Sequence, residues 1–112
     1  MSEQITMTKE EIDKHMDEEY AIAIAYTLSR MTISQIADQI RHSWVDKQGK
    51  NNIYFAAKPY VEAMEGMTTI NDNYGYDNGR DVVTRFLCNA SSWKGVNAKA
   101  VKKELNKRLK AK

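Results

Sequence analysis

Thr32-Ile-Ser-Gln-Ile-Ala-Asp-Gln-Ile-Arg-His-Ser-Trp44 carries the plainest structural signal in the chain. Ile33, Ile36, Ala37, Ile40 and Trp44 recur at helical spacing, so one apolar stripe runs along a helix and needs a core to face. Thr32 stands at the cap position and Gln35 three residues later, which makes a capping box: hydroxyl to amide, and amide side chain back to the cap. Upstream, Thr8 and Glu11 form a second such box. The helix it opens reads Ile12, Met16, Tyr20, Ala23, Ile24, Thr27 and Leu28 on one face. Its middle, Tyr20-Ala-Ile-Ala-Ile-Ala-Tyr26, is apolar all round, which predicts a helix buried between neighbours.

Downstream of Trp44, Gln48-Gly-Lys-Asn-Asn52 is a turn. The segment from Ile53 to Met67 places Phe55, Ala56, Tyr60, Ala63, Met64 and Met67 at helical offsets. Pro59 either sits in the first turn of a helix beginning near Lys58 or kinks a longer one, and Gly66 signals the stop. Residues 68–79 form the one long irregular stretch, rich in Asn, Gly and Tyr. Asp77 or Asn78 can cap a fourth helix carrying Val82, Val83, Phe86, Leu87 and Ala90. After Trp93-Lys-Gly95, a last helix from about Asn97 buries Ala98, Val101, Leu105 and Leu109. The reading is therefore all-α: a compact single-domain bundle of about five helices spanning residues 8–112, with one Gly/Asn/Tyr-rich loop and a flexible tail over residues 1–7.

The chain has 112 residues, 29% charged, with a single Cys and a single Pro. That length suits one domain. One thiol cannot form an internal bridge, which fits a reducing, intracellular setting. No uncharged run approaches the ~20 residues that cross a bilayer, and Met1-Ser2-Glu3-Gln4 lacks the basic-then-apolar pattern of a secretory signal. The net charge of +2 conceals a gradient. Residues 1–20 hold seven acidic against two basic side chains, and residues 94–112 hold eight basic against one acidic. Such asymmetry marks a basic arm that meets nucleic acid or an acidic partner, or else two terminal helices whose fields cancel or whose charged faces are simply solvated.

Motifs of chemistry are few. The loop Asn71-Asp72-Asn73-Tyr74-Gly75-Tyr76-Asp77-Asn78-Gly79 invites a calcium reading. Aligning Gly75 or Gly79 with the turning glycine of a calcium loop puts Ile70 or Tyr74 where the first carboxylate belongs, and no Glu closes either register. Tyr74 and Tyr76, beside Asn78, have instead the composition of an adaptable binding surface. His15, His42 and Cys88 show no ligand spacing, so no metal or other cofactor is expected. Cys88, after Phe86-Leu87 in an amphipathic helix, reads as a small buried hydrophobe. Asp17-Glu18-Glu19 reads as a solvated helix side. A helix-turn-helix beginning at Thr32 fails because its turn comes too late. Nothing argues for an enzyme. The candidates for contact are Tyr74, Tyr76 and Asn78 in the loop, and Lys99, Lys102, Lys103 and Lys107, which follow the outer side of the last helix.

From Ile53 onward, Tyr54-Phe55-Ala-Ala-Lys-Pro59-Tyr60-Val-Glu-Ala63-Met64, Ile70-Asn-Asp72-Asn-Tyr74-Gly75-Tyr-Asp77-Asn-Gly79, Phe86-Leu87-Cys-Asn89-Ala90-Ser-Ser-Trp93-Lys-Gly95 and Lys102-Lys-Glu104-Leu105 resemble short accessory proteins of bacteriophages and other mobile elements. The resemblance covers the C-terminal half and brings no catalytic residue with it. It implies a protein of the bacterial host's cytoplasm that binds host machinery stoichiometrically, defence systems such as a CRISPR nuclease included. A host protein is thus the expected partner. Nucleic acid, met by the lysines of the last helix, is the alternative.

Overall fold

The computed structural model describes residues 9–74 and 77–111, with side chains from residue 19 onward apart from Tyr74 and Asp77. Five helices make the domain: α1 (Lys9–Ser29), α2 (Ile33–Ser43), α3 (Lys58–Glu65), α4 (Gly79–Cys88) and α5 (Val96–Lys110). A two-residue antiparallel ladder, β1 (Asn73–Tyr74) with β2 (Asp77–Asn78), interrupts them between α3 and α4. The bundle is all-α, as its periodicities predict. The Thr8–Glu11 capping box lies outside the described residues.

α2 is the centre. Gln35 N–H donates to Thr32 Oγ1 at 3.1 Å and Thr32 N–H to Gln35 Oε1 at 2.9 Å, so both halves of the capping box form. The next free amides, Ile33 and Ser34, donate to the carbonyls of Thr68 and Met67, which seats the start of α2 on the chain leaving α3. Ile33, Ile36, Ala37 and Ile40 are fully buried and Trp44 is 3% exposed. Trp44 stacks on Trp93 with ring centroids 5.3 Å apart and meets Phe86 edge-on at 6.5 Å. The indole that ends the stripe of α2 therefore joins it to α4 and to the loop before α5. Of the two arrangements open for Pro59, the first holds: α3 starts at Lys58 with Pro59 in its first turn, where a missing N–H costs nothing. Gly79 is required for space. A Cβ there would collide with the Asp72 carbonyl and lie 2.6 Å from that of Ile70. Positive φ occurs only at Gly49 and Gly95 among the described residues.

Three expectations change. α1 is not buried between neighbours: it packs chiefly on α5, with Leu28 buried and Ile24 half-buried, while Tyr20, Ile22 and Tyr26 are exposed. An apolar run identifies a helix that can be covered, and only the number of elements around it decides whether it is. Phe55 is 73% exposed. With α3 starting at Lys58, the buried row is Ala57, Val61 and Met64, and Phe55 falls in the turn before it. Cys88 is exposed. It lies two residues past Phe86, roughly 200° round the helix from that buried ring.

The two outer helices run parallel. Leu28 meets Arg108 and Tyr20 shares a groove with Asn97, so both chains advance in the same direction. Arg108 donates to Glu104 at 2.7 Å and to the Leu28 carbonyl at 2.8 Å, a second bond on an acceptor that also takes the Met31 N–H at 3.0 Å. Arg80 ties down the end of α5, donating to the carbonyls of Leu109 and Ala111 at 2.9 Å each and to Asn71 Oδ1 at 3.1 Å. Parallel packing puts the end of α5, with Lys107 and Lys110 exposed, beside the end of α1.

Candidate functional site

The lysines of α5 divide into two sets. Lys99, Lys103 and Lys107 recur every four residues and are exposed, and Lys103 and Lys107 share one shallow groove with Asn106 and Lys110. None of these four lysines pairs with a carboxylate among the described residues. Like charges in a row on one helix face repel one another mildly, so this strip is poised to take a polyanion or an acidic surface. Lys102 belongs elsewhere. Its Nζ donates to the Trp93 carbonyl at 2.7 Å, and burial, then the nearby charge of Lys94, hold its pKa below the ordinary lysine range. It latches the Trp93 loop onto α5 and leaves the outward row.

The loop residues divide in the same way. Asn78 caps α4, its Oδ1 accepting from the Arg80 N–H at 2.7 Å, so its first role is structural. Tyr74 enters the ladder through its backbone opposite Asp77; its side chain, and the whole of Tyr76, lie outside the described residues. Asp72 organises the loop from below. Its carboxylate accepts from the amides of Thr68 at 2.7 Å and Thr69 at 3.1 Å, and these bonds hold its pKa below the usual carboxylate value.

The chain matches no family model, no curated protein and no solved structure. Its surface must therefore be read from its own chemistry.

Two exposed apolar features include residues that periodicity had assigned to the core. Tyr54 and Phe55 stand together before α3, ring centroids 4.8 Å apart and edge to face, both exposed. Lys50 and Lys58 flank them in sequence and are exposed too. The signal for this pair was present: stepping back from Met64 through Val61 to Ala57 leaves Phe55 off the buried row. The second feature is the outer face of α1. His42 is exposed, with Nδ1 2.8 Å from the Asp38 carbonyl, and Cys88 is exposed on α4. Among the described residues no group of three His, Cys, Asp or Glu side chains could hold a metal, and no helix is long and apolar enough to cross a membrane.

Proposed function

We propose that this chain is a stoichiometric protein-binding factor, of the phage accessory type, acting on a host protein in the bacterial cytoplasm rather than by catalysis. The observation that supports this reading is the Tyr54–Phe55 pair. An aromatic ring left three-quarters exposed on a domain this small is poorly accounted for by its own fold, since Phe55 contributes little to the core. Rigid aromatic side chains are the usual anchors of protein interfaces, because they bury large area for few rotatable bonds. Lys50 and Lys58 beside them suit a partner whose pocket is apolar and whose rim is acidic. A host defence enzyme such as a CRISPR nuclease is one partner that fits the resemblance.

The exposed row Lys99, Lys103, Lys107 and Lys110 favours a second reading, nucleic-acid binding along α5. One experiment separates them. Tyr54→Ser with Phe55→Ser removes the aromatic anchor without touching the core, so the melting temperature should stay within about two degrees. Capture of a host protein from nuclease-treated lysate should fall at least tenfold. Capture that survives the double substitution, or that vanishes on nuclease treatment of the wild type, would reject the aromatic anchor.

A further inference from the structure

We infer that Asn78-Gly79 is a site of spontaneous covalent modification, deamidation with rearrangement of the backbone, and that the cap of α4 holds it in check. Five glycines occur in the chain, and only Gly79 follows an asparagine. The peptide nitrogen after an asparagine can attack that residue's side-chain carbon Cγ, and a glycine, having no Cβ, puts nothing in the way. In this step the Gly79 nitrogen gives its proton to hydroxide and forms a bond to Asn78 Cγ. The bond from Cγ to the side-chain nitrogen breaks, and that nitrogen takes a proton from water and leaves as ammonia. One water then opens the succinimide ring at either carbonyl. Opening at Cγ gives aspartate in a normal chain. Opening at the backbone carbonyl gives isoaspartate, whose main chain runs through Cβ and Cγ and is one atom longer.

The folded geometry opposes the first step. Asn78 has ψ of 135°, which turns the Gly79 nitrogen away from Cβ, whereas the ring needs that nitrogen nearly eclipsed with Cβ. Asn78 Oδ1 is held as well, accepting from the Arg80 N–H at 2.7 Å. The main chain is fixed on both sides. Asn78 pairs with Asn73 in the ladder, and Gly79 is buried where the carbonyls of Asp72 and Ile70 leave no room for a further carbon. Reaction therefore waits for the first turn of α4 to open, and its rate follows the population of that open state. The same contacts sort the products. Aspartate at position 78 keeps an oxygen for the Arg80 N–H and caps as well as asparagine, with its charge at the favourable end of the helix. In isoaspartate the former Oδ1 is a main-chain carbonyl, so the cap is gone. The additional chain atom must also fit between the Asn73 pairing and the seat of Gly79. Only one of the two products returns to the native fold unchanged.

The test incubates the full chain in mildly alkaline buffer, folded and in guanidinium chloride, and follows the peptide that holds residues 78–79 after digestion. Chromatography with mass and fragment spectra separates the amide, the aspartate and the isoaspartate. In guanidinium chloride Asn78 should convert ahead of every other asparagine of the chain. In buffer its conversion should be at least ~10-fold slower, because α4 has to open first. Asn78→Asp makes the normal product directly and should melt within about two degrees of the wild type. The isoaspartate chain, isolated from the unfolded reaction and returned to buffer, should melt below both. Another asparagine converting first in guanidinium chloride overturns the site. Equal rates in the two conditions overturn protection by the cap. An isoaspartate chain as stable as the wild type overturns the sorting of products by the Gly79 seat. Both rates are read on the unaltered chain, so they decide the site and its protection even if Asn78→Asp fails to fold.

Discussion

Asp72 shows how one side chain can hold a loop together. Its carboxylate gathers the amides of Thr68 and Thr69, and their carbonyl neighbours Met67 and Thr68 receive the first amides of α2. Because those bonds favour the charged form, its pKa in the folded chain is depressed. A depressed carboxylate contributes stability that is present above its ordinary pKa of 3.8 and is lost as pH falls through the lower folded value. The urea midpoint of the wild type should therefore decline on going below about pH 4. Asp72→Asn should be less stable at pH 7 and flatter over that window, so that the two curves converge in acid. Parallel curves at a constant offset would remove the titration from the account. Nothing in the sequence marked Asp72 out from the other Asx residues of its loop, because the amides it gathers are recognisable only once the chain has turned.

At the scale of elements, α1 and α5 are joined by few but specific groups. Glu104 is 7% exposed, and its carboxylate is matched by Arg108, whose other nitrogen reaches the end of α1. A buried carboxylate that loses its partner is costly, because its charge remains desolvated. Arg108→Ala is expected to destabilise the fold by about 2–3 kcal/mol, somewhat less than the loss of one partner from a fully buried pair, since Arg108 keeps partial solvent contact. The loss should be local first. Amide hydrogen exchange of residues 20–28 should accelerate before that of α2, which packs on both α3 and α5. Uniform acceleration across both helices would show that α1 is integral to the cooperative unit. Boundaries at this scale were legible: Thr32, Pro59, Gly66 and Asn78 mark helix ends by local chemistry. The depth of α1 was not, because burial depends on neighbours that no local window contains.

Across the whole molecule, the exposed lysine row makes a prediction about nucleic acid. Duplex DNA bound along Lys99, Lys103, Lys107 and Lys110 would release about one counterion per phosphate neutralised. Four contacts give a slope of log K against log salt of roughly −3.6. The expected outcome is weak binding at low salt, lost when Lys99, Lys103 and Lys107 are changed to Glu. Lys102→Glu should instead unseat the Trp93 loop and lower the melting temperature, since its ammonium is committed to a carbonyl. No measurable binding at 50 mM salt by the wild type would leave the row to a protein partner. The row has no exposed aromatic side chain within α5 on which a base could stack, which argues for a sequence-independent, backbone-only contact if one forms.

The sequence by itself determined the five helices, the caps of α2 and α4 and the apolar stripes of α2, α4 and α5. Each of these depends on hydrogen bonds and spacings within a few residues, and a stripe must face a core wherever that core is. The tertiary structure alone decided which apolar residues were left over. Tyr54, Phe55, Ile22 and Tyr26 look like core residues by composition, yet five short helices enclose too little volume to cover them all. It also decided the company each charge keeps. Lys102 and Lys103 are neighbours in sequence with the same chemistry, and only the position of the Trp93 carbonyl turns one inward and leaves the other in water.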